Sequence, residues 1–334
     1  MITGPLPDLA ATLRLQRDAG AVRASLERAG RELSTGKKED LFAASGGDPR
    51  RLLAIEGSQA RAAREAETVV LAQGRLSLTQ SVMGGLQGLA DGLGPELAAA
   101  VARGDMNSAR IHAAGAEDAF RNAVQNLNTT YAGRTLFSGA AVDTPALDDP
   151  DLIFADVAAV VAGAADAADA IAQVETYFDV GGGFDARFLG AVEDAPRAGI
   201  DSGDSVDISR RADDPEVREL LRGLAIAAVT VDSAYAGPAD AQGALFEEAA
   251  AVTMSARESL VQSRALLGLS EQALEDASVR IAARKDTLDL AWNHAVSRDP
   301  YDAAAEFQAI EQQLQRVFLV TSRLSQLSLT DFLR

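Results

Sequence analysis

Both ends of the chain carry apolar residues at alternating spacings of three and four, a pattern that restricts the fold more than any other feature. The amino-terminal stripe comprises Leu15, Ala19, Val22, Leu26, Ala29 and Leu33. The carboxyl-terminal stripe comprises Phe307, Ile310, Leu314, Val317, Thr321 and Leu324. Such a spacing places the apolar side chains on one face of an α-helix, as in a coiled-coil seam. We therefore expect a helix at each end that pairs with the other or with a neighbouring molecule.

The segments between these stripes are also periodic. They predict four inner helices. The first runs from Leu52 to the break at Gly92-Leu93-Gly94-Pro95, and the second from Met106 to Tyr131. The third runs from Pro215 to Val231, and the fourth from the Gly237-Pro238 turn to Asp299-Pro300. In the middle, Ile153–Tyr177 predicts one more helix despite Gly163. Three short segments after it predict a small β piece: Ala186–Leu189, Ala198–Ile200 and Val206–Ile208.

Composition supports helices as the main structure. Of the 334 residues 67 are alanine, the strongest helix former, and only 10 are proline. We therefore predict a mainly α fold. Its expected form is an elongated antiparallel helical bundle or coiled coil made by both chain ends, with a small α/β insertion in the middle.

The residue inventory argues against catalysis and against a metal site. The chain has no cysteine and two histidines, so a Cys or His metal cluster, a thiol nucleophile and a disulfide framework are not expected. Its many carboxylates are not placed beside a recognisable nucleophile or oxyanion donor. We expect a protein that is not an enzyme and binds no metal or cofactor.

The acidic residues are concentrated in the middle of the chain. Residues 141–240 hold 6 Lys and Arg against 21 Asp and Glu, whereas residues 1–140 hold 16 against 15. This contrast predicts an acidic, surface-exposed insertion between two helical arms. The expected domains are a terminal assembly helix over 1–40, half of a helical rod over 41–140, the insertion over 141–214, the other half of the rod over 215–297 and a second terminal assembly helix over 298–334.

Charge and hydropathy also restrict location and partners. The net charge of −18 argues against binding to nucleic acid or to an anionic membrane. No apolar run reaches the roughly 18 residues that a membrane-spanning helix needs. The segment Met1–Asp8 carries no basic cluster, so we expect no cleavable signal peptide.

Several motifs in both arms resemble those of one known family. They are Leu33-Ser34-Thr35-Gly36-Lys37-Lys38, Asp48-Pro49, Gly133-Arg134-Thr135-Leu136-Phe137-Ser138-Gly139, Asp143-Thr144-Pro145 and the Leu- and Ser-rich end Thr321–Arg334. In this order they resemble the flagellin-like axial proteins of the bacterial flagellum. Within that family they are most similar to the proteins at the junction between hook and filament.

The resemblance implies assembly through the two terminal helices, export in unfolded form through the flagellar type III apparatus, and a final location in the extracellular flagellum. The implied partners are neighbouring copies, the adjacent hook-associated protein, flagellin and an export chaperone. The expected interface residues, which we call the terminal seam residues, are Leu15, Val22, Leu26, Leu33, Phe307, Ile310, Leu314, Val317, Leu324 and Leu327.

Two other functions stay open at this point. One is flagellin, the filament subunit, although flagellins usually carry other residues where this chain has Lys37-Lys38 and Gly46-Gly47-Asp48-Pro49. The other is a secreted module that contacts a host through the acidic centre.

Overall fold

A computed structural model describes residues 6–40, 42, 48–200, 204–231 and 239–332. Side chains are described for all of these except 6–12, 15, 239–240 and 324–332. Long helices account for most of the described residues, and both sheets consist of two strands of two residues each. The prediction of a mainly α fold is confirmed.

The helices in chain order are α1 (Leu6–Thr35), α2 (Arg50–Ala102), α3 (Met106–Ala113), α4 (Ala116–Leu127), α5 (Pro150–Ala162), α6 (Ala167–Phe178), α7 (Pro215–Val231), α8 (Ala239–Val296) and α9 (Pro300–Phe332). The strands form two antiparallel pairs, β1 (Thr130–Tyr131) with β2 (Arg134–Thr135), and β3 (Ala198–Gly199) with β4 (Ser205–Val206). A 3₁₀ turn covers Gly183–Ala186. The chain divides into two compact units, one of residues 1–63 with 282–334 and one of residues 64–281.

In the second unit, the apolar residues of the periodic segment in α2 are buried, and glutamines that lie between them bond to α8. Val69, Leu76 and Met83 recur at intervals of seven and are buried. Between them, the Gln73 side-chain amide donates to Glu275 Oε2 at 3.1 Å, and that of Gln80 donates to the Arg264 carbonyl at 3.0 Å. The seven-residue interval is that of a coiled-coil seam, so α2 and α8 contact each other as the periodicity predicts.

Helix α7 is buried on all sides. Between Val217 and Thr230 only Glu219 and Arg222 are not buried. The helix packs against α3, α4, α5 and α6. A helix that is apolar all round needs neighbours on every side. Two of these neighbours, α5 and α6, come from the acidic region 141–214, which therefore helps to build the core of this unit.

The predicted end of the second helix is wrong, because α2 continues through Gly92-Leu93-Gly94-Pro95 to Ala102. Proline inside a helix removes one backbone hydrogen bond. Packing compensates for that loss, since Leu93 and Leu97 on either side of Pro95 are buried. A Cβ at Gly94 would stand 3.1 Å from Met254 Cγ on α8, so the glycine allows the two helices to approach closely.

Two other predicted helices are each divided in two. The segment Met106–Tyr131 breaks at Ala114 and Gly115 into α3 and α4, and its last residues form β1. Helix α4 ends at Leu127 because the side-chain amide of Asn128 donates to the Leu147 carbonyl and accepts from the Leu147 amide, both at 2.9 Å.

The second division separates α5 from α6. Helix α5 ends at Ala162, just before Gly163, and α6 begins after Asp166, whose carboxylate accepts from the Asp169 amide at 2.9 Å. The expected β piece is found only in part. Residues 198–200 and 206–208 contribute to β3 and β4. In the segment Ala186–Leu189, by contrast, Ala186 ends the 3₁₀ turn and Phe188 makes a single bridge, to Leu147.

Candidate assembly interface

In the first unit, α1 and α9 pack against each other along their stripes. Phe307 Cε2 lies 3.5 Å from the position that a Cβ on Gly30 would take. Farther along the pair, Val22 and Ile310 line the same groove. The Arg23 guanidinium stands 5.1 Å from the centre of the Phe318 ring, a cation–π distance. The two terminal stripes therefore meet within one chain.

The terminal seam residues are covered only in part. Six are half-buried, namely Val22, Leu26, Phe307, Ile310, Leu314 and Val317. Leu33 is 38% exposed. The side chains of Leu15, Leu324 and Leu327 lie outside the described side chains. Because one helix covers only one side of another, part of each stripe stays open to a further neighbour.

Helix α9 also carries exposed apolar residues next to its stripe. Phe318, Leu319 and Val320 are 45%, 56% and 45% exposed. Successive residues of an α-helix point about 100° apart, so a single partner helix cannot cover all three. Exposed apolar side chains in a row are typical of a surface that becomes buried on association.

At the base of this helix pair, an ionic cluster surrounds the buried Glu32. The Glu32 side chain is 7% exposed, and the Arg298 guanidinium donates to it and also to Glu306. The other oxygen of Glu32 accepts from the backbone amide of Glu39 at 2.9 Å. Because both carboxylate oxygens of Glu32 are bonded, the buried charge is compensated.

The segments beside this cluster pair through the backbone. Lys37 and Ser297 form an antiparallel bridge. The Lys38 amide donates to the Val296 carbonyl at 2.8 Å, and the Arg298 amide donates to the Gly36 carbonyl at 2.9 Å. These bonds join the segment after α1 to the segment before α9, so the two terminal helices start their pairing from a fixed point.

The residues of the Gly133–Gly139 motif form a turn whose main role is structural. Thr135 and Ser138 are buried, and their hydroxyls lie next to each other. The Thr135 hydroxyl donates to the Val142 carbonyl at 2.9 Å, and the Ser138 hydroxyl donates to the Ala141 carbonyl at 2.8 Å. Gly139 has a φ of +61°, and a Cβ there would stand 2.5 Å from the Ala191 carbonyl oxygen. Only glycine fits that position.

Many acidic residues of the middle region are paired within the chain. Arg187 bonds to Asp156 Oδ2 at 2.8 Å and to Asp148 Oδ2 at 2.9 Å, and the first of these bonds lowers the pKa of Asp156. Arg218 is buried and bonds to Asp185 at 2.6 Å. The acidic residues of this region therefore form ion pairs that hold the region together, besides giving its surface a negative charge.

Two further properties of the described part of the chain concern metal sites and membrane-spanning helices. Within it, no group of three or more His, Cys, Asp or Glu side chains is placed to hold a metal ion. None of its helices is both long and apolar enough to cross a membrane. The features that stand out at the terminal pair are open apolar surface and a fixed base, and these support binding to another protein surface.

The described part of the chain is mainly helical, and its paired terminal helices leave apolar side chains exposed, as a protein that associates with others would. Residues 251–333, about a quarter of the chain, match the family described as bacterial flagellin C-terminal helical region. No curated protein matches the chain. The family match supports a flagellin-like chain and a structural subunit of the bacterial flagellum, which is extracellular and built by self-assembly.

Sequence reasoning located the two stripes but missed the buried cluster at their base. Glu32 and Arg298 are 266 residues apart, and nothing in the local pattern around either residue marks it as a partner. The nearest signal was the pair of helix ends at Ser34-Thr35-Gly36 and Asp299-Pro300, which lie beside the residues that the structure joins, 36–38 and 296–298.

Proposed function

We propose that this protein is the structural adaptor between the hook and the filament of the bacterial flagellum, similar to hook-associated protein 3. One observation carries the proposal: the paired terminal helices α1 and α9 leave apolar side chains open, and all of α9 lies inside the flagellin C-terminal match. An adaptor subunit needs such a surface because it must bind copies of itself and two different neighbouring proteins.

The binding energy would come from completing the burial of the terminal seam residues. Burying one large apolar side chain contributes on the order of 1.5 to 3 kcal/mol. The six half-buried seam residues have gained part of this within the chain, and a neighbouring copy, the adjacent hook-associated protein and the first layer of flagellin would supply the rest. Assembly by this route uses no cofactor.

The junction role, rather than the filament role, is favoured by the order of motifs after α4. The Gly133–Gly139 turn and Asp143-Thr144-Pro145 resemble the way in which junction proteins leave their helical arm. Flagellin remains the second candidate, because the match over residues 251–333 is to a flagellin region.

Removal of the gene tests the proposal. We expect cells that keep their hooks, lack filaments and shed flagellin into the medium, and we expect the intact gene to restore the filaments. Normal filaments in the deletion strain would refute the junction role.

A second experiment separates the adaptor from flagellin. Purified full-length protein is added to filament seeds, and elongation is followed by electron microscopy. Long filaments of this protein alone would identify a filament subunit, whereas an adaptor should add at most a short layer.

A further inference from the structure

A cavity of about 660 Å³ lies in the second unit, between the end of α6, the start of α7 and the segment 188–192. This volume is within the range of about 300 to 1,000 Å³ that is typical of small-molecule sites. Most of the wall comes from the acidic region 141–214. None of the described terminal seam residues lines the cavity, so assembly through the terminal helices leaves it without a role.

Three arginines line the cavity, and two of them hold its walls in place. Nη1 of Arg218 donates to the carbonyls of Phe178 and Asp179, at 3.0 and 3.3 Å. On the other side, the Arg211 guanidinium donates to the Val192 carbonyl. Because these bonds fix the segments that carry the lining side chains, the cavity is preformed, as most small-molecule sites are.

The third arginine, Arg222, takes no part in holding the walls. In the described part of the chain its guanidinium makes one ion pair, from Nη1 to Glu175 Oε1 at 3.3 Å, and no hydrogen bond. The side chains of Arg222 and Glu175 are 17% and 55% exposed, so a ligand can reach both. Nε of Arg222 is buried, which leaves the terminal nitrogens for binding. An N–H donor and a carboxylate acceptor therefore stand side by side at the cavity.

Glu219, one turn before Arg222 on α7, provides a second acceptor. In the described stretch from Val217 to Thr230, only these two residues are not buried, and both line the cavity. Residues three apart on a helix lie on the same face. The Ser255 hydroxyl donates to Oε2 of Glu219 at 3.3 Å, and Oε1 has no hydrogen-bond partner among the described residues. A helix that is otherwise apolar thus directs a donor and an acceptor to the same cavity.

The charges around the cavity favour a neutral ligand. Five carboxylates and three guanidinium groups line it. A small anion would approach the carboxylates and a small cation the guanidinium groups, so both would meet like charges at close range. A hydroxyl group both donates and accepts hydrogen bonds. Two neighbouring hydroxyls can therefore accept from Arg222 and donate to Glu175 without bringing in a charge.

The cavity also has an apolar side. Val180 and Val192 line it and are 88% and 73% exposed, and Phe178 and Phe188 form part of the wall. Apolar side chains in a cavity with a few polar groups are typical of small-molecule sites. A sugar ring suits both parts of the cavity, because its C–H groups are apolar and its hydroxyls are polar.

We propose that this cavity binds a neutral saccharide. Arg222 and Glu175 bond to neighbouring hydroxyls of one ring, and Glu219 accepts from a further hydroxyl. Val180 and Val192 cover the C–H groups of the ring. Saccharide binding is a function separate from the junction role, because it uses the second unit and none of the described terminal seam residues.

The test uses the purified full-length chain and an array of neutral, sialylated and sulfated oligosaccharides. The affinity of each bound oligosaccharide, in free form, is then measured by isothermal titration calorimetry. Arg222→Met removes the guanidinium and keeps a long side chain. Arg257→Met is the matched control, since Arg257 also pairs with an exposed carboxylate, that of Asp91, and does not line the cavity. Circular dichroism checks the fold of each variant.

We expect the wild-type chain to bind a neutral oligosaccharide and Arg222→Met to weaken this binding about tenfold or more, because the hydroxyls lose a charged donor. Arg257→Met should leave the affinity unchanged. Equal affinities of wild type and Arg222→Met would overturn the proposal, and so would equal losses in Arg222→Met and Arg257→Met. If Arg222→Met does not fold, Val192→Asp takes its place, because Val192 is exposed and the new charge would stand against the C–H groups. Unchanged affinity of Val192→Asp would then overturn the proposal.

A charged ligand is a separate outcome. Binding of sialylated or sulfated oligosaccharides alone would reveal an anion site and overturn the proposal, as would a wild-type chain that binds no oligosaccharide on the array. The deletion strain keeps this proposal apart from the junction role. Filaments restored by Arg222→Met, together with lost saccharide binding, would support both proposals. Normal filaments in the deletion strain would refute the junction role alone.

Discussion

Arg298 donates to the buried carboxylate of Glu32, a residue 266 positions earlier in the chain, and so ties together the two helices that carry the apolar stripes. The side chains are 18% and 7% exposed, which makes this an ion pair with little access to water. Removing one partner of such a pair leaves an uncompensated buried charge. The pairing of the chain ends therefore depends on a contact that lies outside both stripes.

Replacing Arg298 by methionine should loosen the terminal pair. We expect a loss of about 3 to 5 kcal/mol in the stability of the contact between α1 and α9, because Glu32 would keep its charge without its partner. Amide hydrogen exchange of α1 and α9 measures this loss. The control is Arg31→Met, which removes an exposed ion pair with Glu39 at 3.0 Å and should cost about 1 kcal/mol or less. Equal exchange in the two variants would contradict the role of Arg298.

Replacing Gly74 by alanine should destabilise the second unit. In an open helix the same change stabilises by up to about 1 kcal/mol. At Gly74 the added Cβ would overlap the Tyr131 hydroxyl and displace the β1–β2 hairpin. Thermal unfolding should show a lower Tm for Gly74→Ala and an equal or higher Tm for Gly88→Ala, which has open space around it on the same helix. A higher Tm for both would show that the hairpin moves aside without cost.

A polar change in a half-buried stripe should affect assembly more than folding. Leu26→Asp and Leu314→Asp remove an apolar contribution on the order of 1.5 to 3 kcal/mol, part of which we expect only on association. The amount of each variant found in isolated flagella should fall below that of the wild type. The far-ultraviolet circular dichroism spectrum of the purified variant should change little. Leu220→Asp is the contrasting variant, since Leu220 is fully buried in α7 and its loss should impair folding itself. Normal incorporation of both stripe variants would remove these residues from the interface.

Acidification to about pH 5 should stabilise the second unit through Asp214. Burial raises the pKa of this carboxyl to about 6 from 3.8, outweighing the opposing effect of the Arg211 amide, which donates to it. The folded state then binds more protons than the unfolded state between these two values, so the free energy of unfolding falls as the pH rises from about 4 to 6. Asp214 contributes up to about 2 kcal/mol of this change.

Asp214→Asn tests the pH effect by chemical denaturation at several pH values. The variant should be more stable than wild type at pH 7 and should lack the slope between pH 4 and 6. Asp143→Asn, at an exposed position, should follow the wild-type curve. The carboxyl of Asp156 affects stability at a lower pH than Asp214 does. The bond to Arg187 lowers the pKa of Asp156 below 3.8, so the stabilising effect of this bond is lost only as the pH falls below that value. A wild-type slope in Asp214→Asn would assign the effect to another group.

The sequence by itself determined the helical class, the stripes and the start of α7 at Pro215, because these features follow from residue spacing within single helices. It also contained the motifs whose order resembles the flagellin-like proteins. Tertiary contacts decided the rest. Helix α2 crosses Pro95 because Leu93, Gly94 and Leu97 pack on their neighbours, and α4 ends at Leu127 because the side chain of the next residue, Asn128, bonds to Leu147.

The same distinction holds for the candidate interface. Spacing along α1 and α9 placed the apolar residues on one face, but it could not decide how much of that face each helix would cover. The ion pair of Glu32 and Arg298 depends on residues that lie far apart along the chain and meet only after folding. Local periodicity records which side of a helix is apolar, whereas a buried charge acquires its partner from the three-dimensional packing of distant segments.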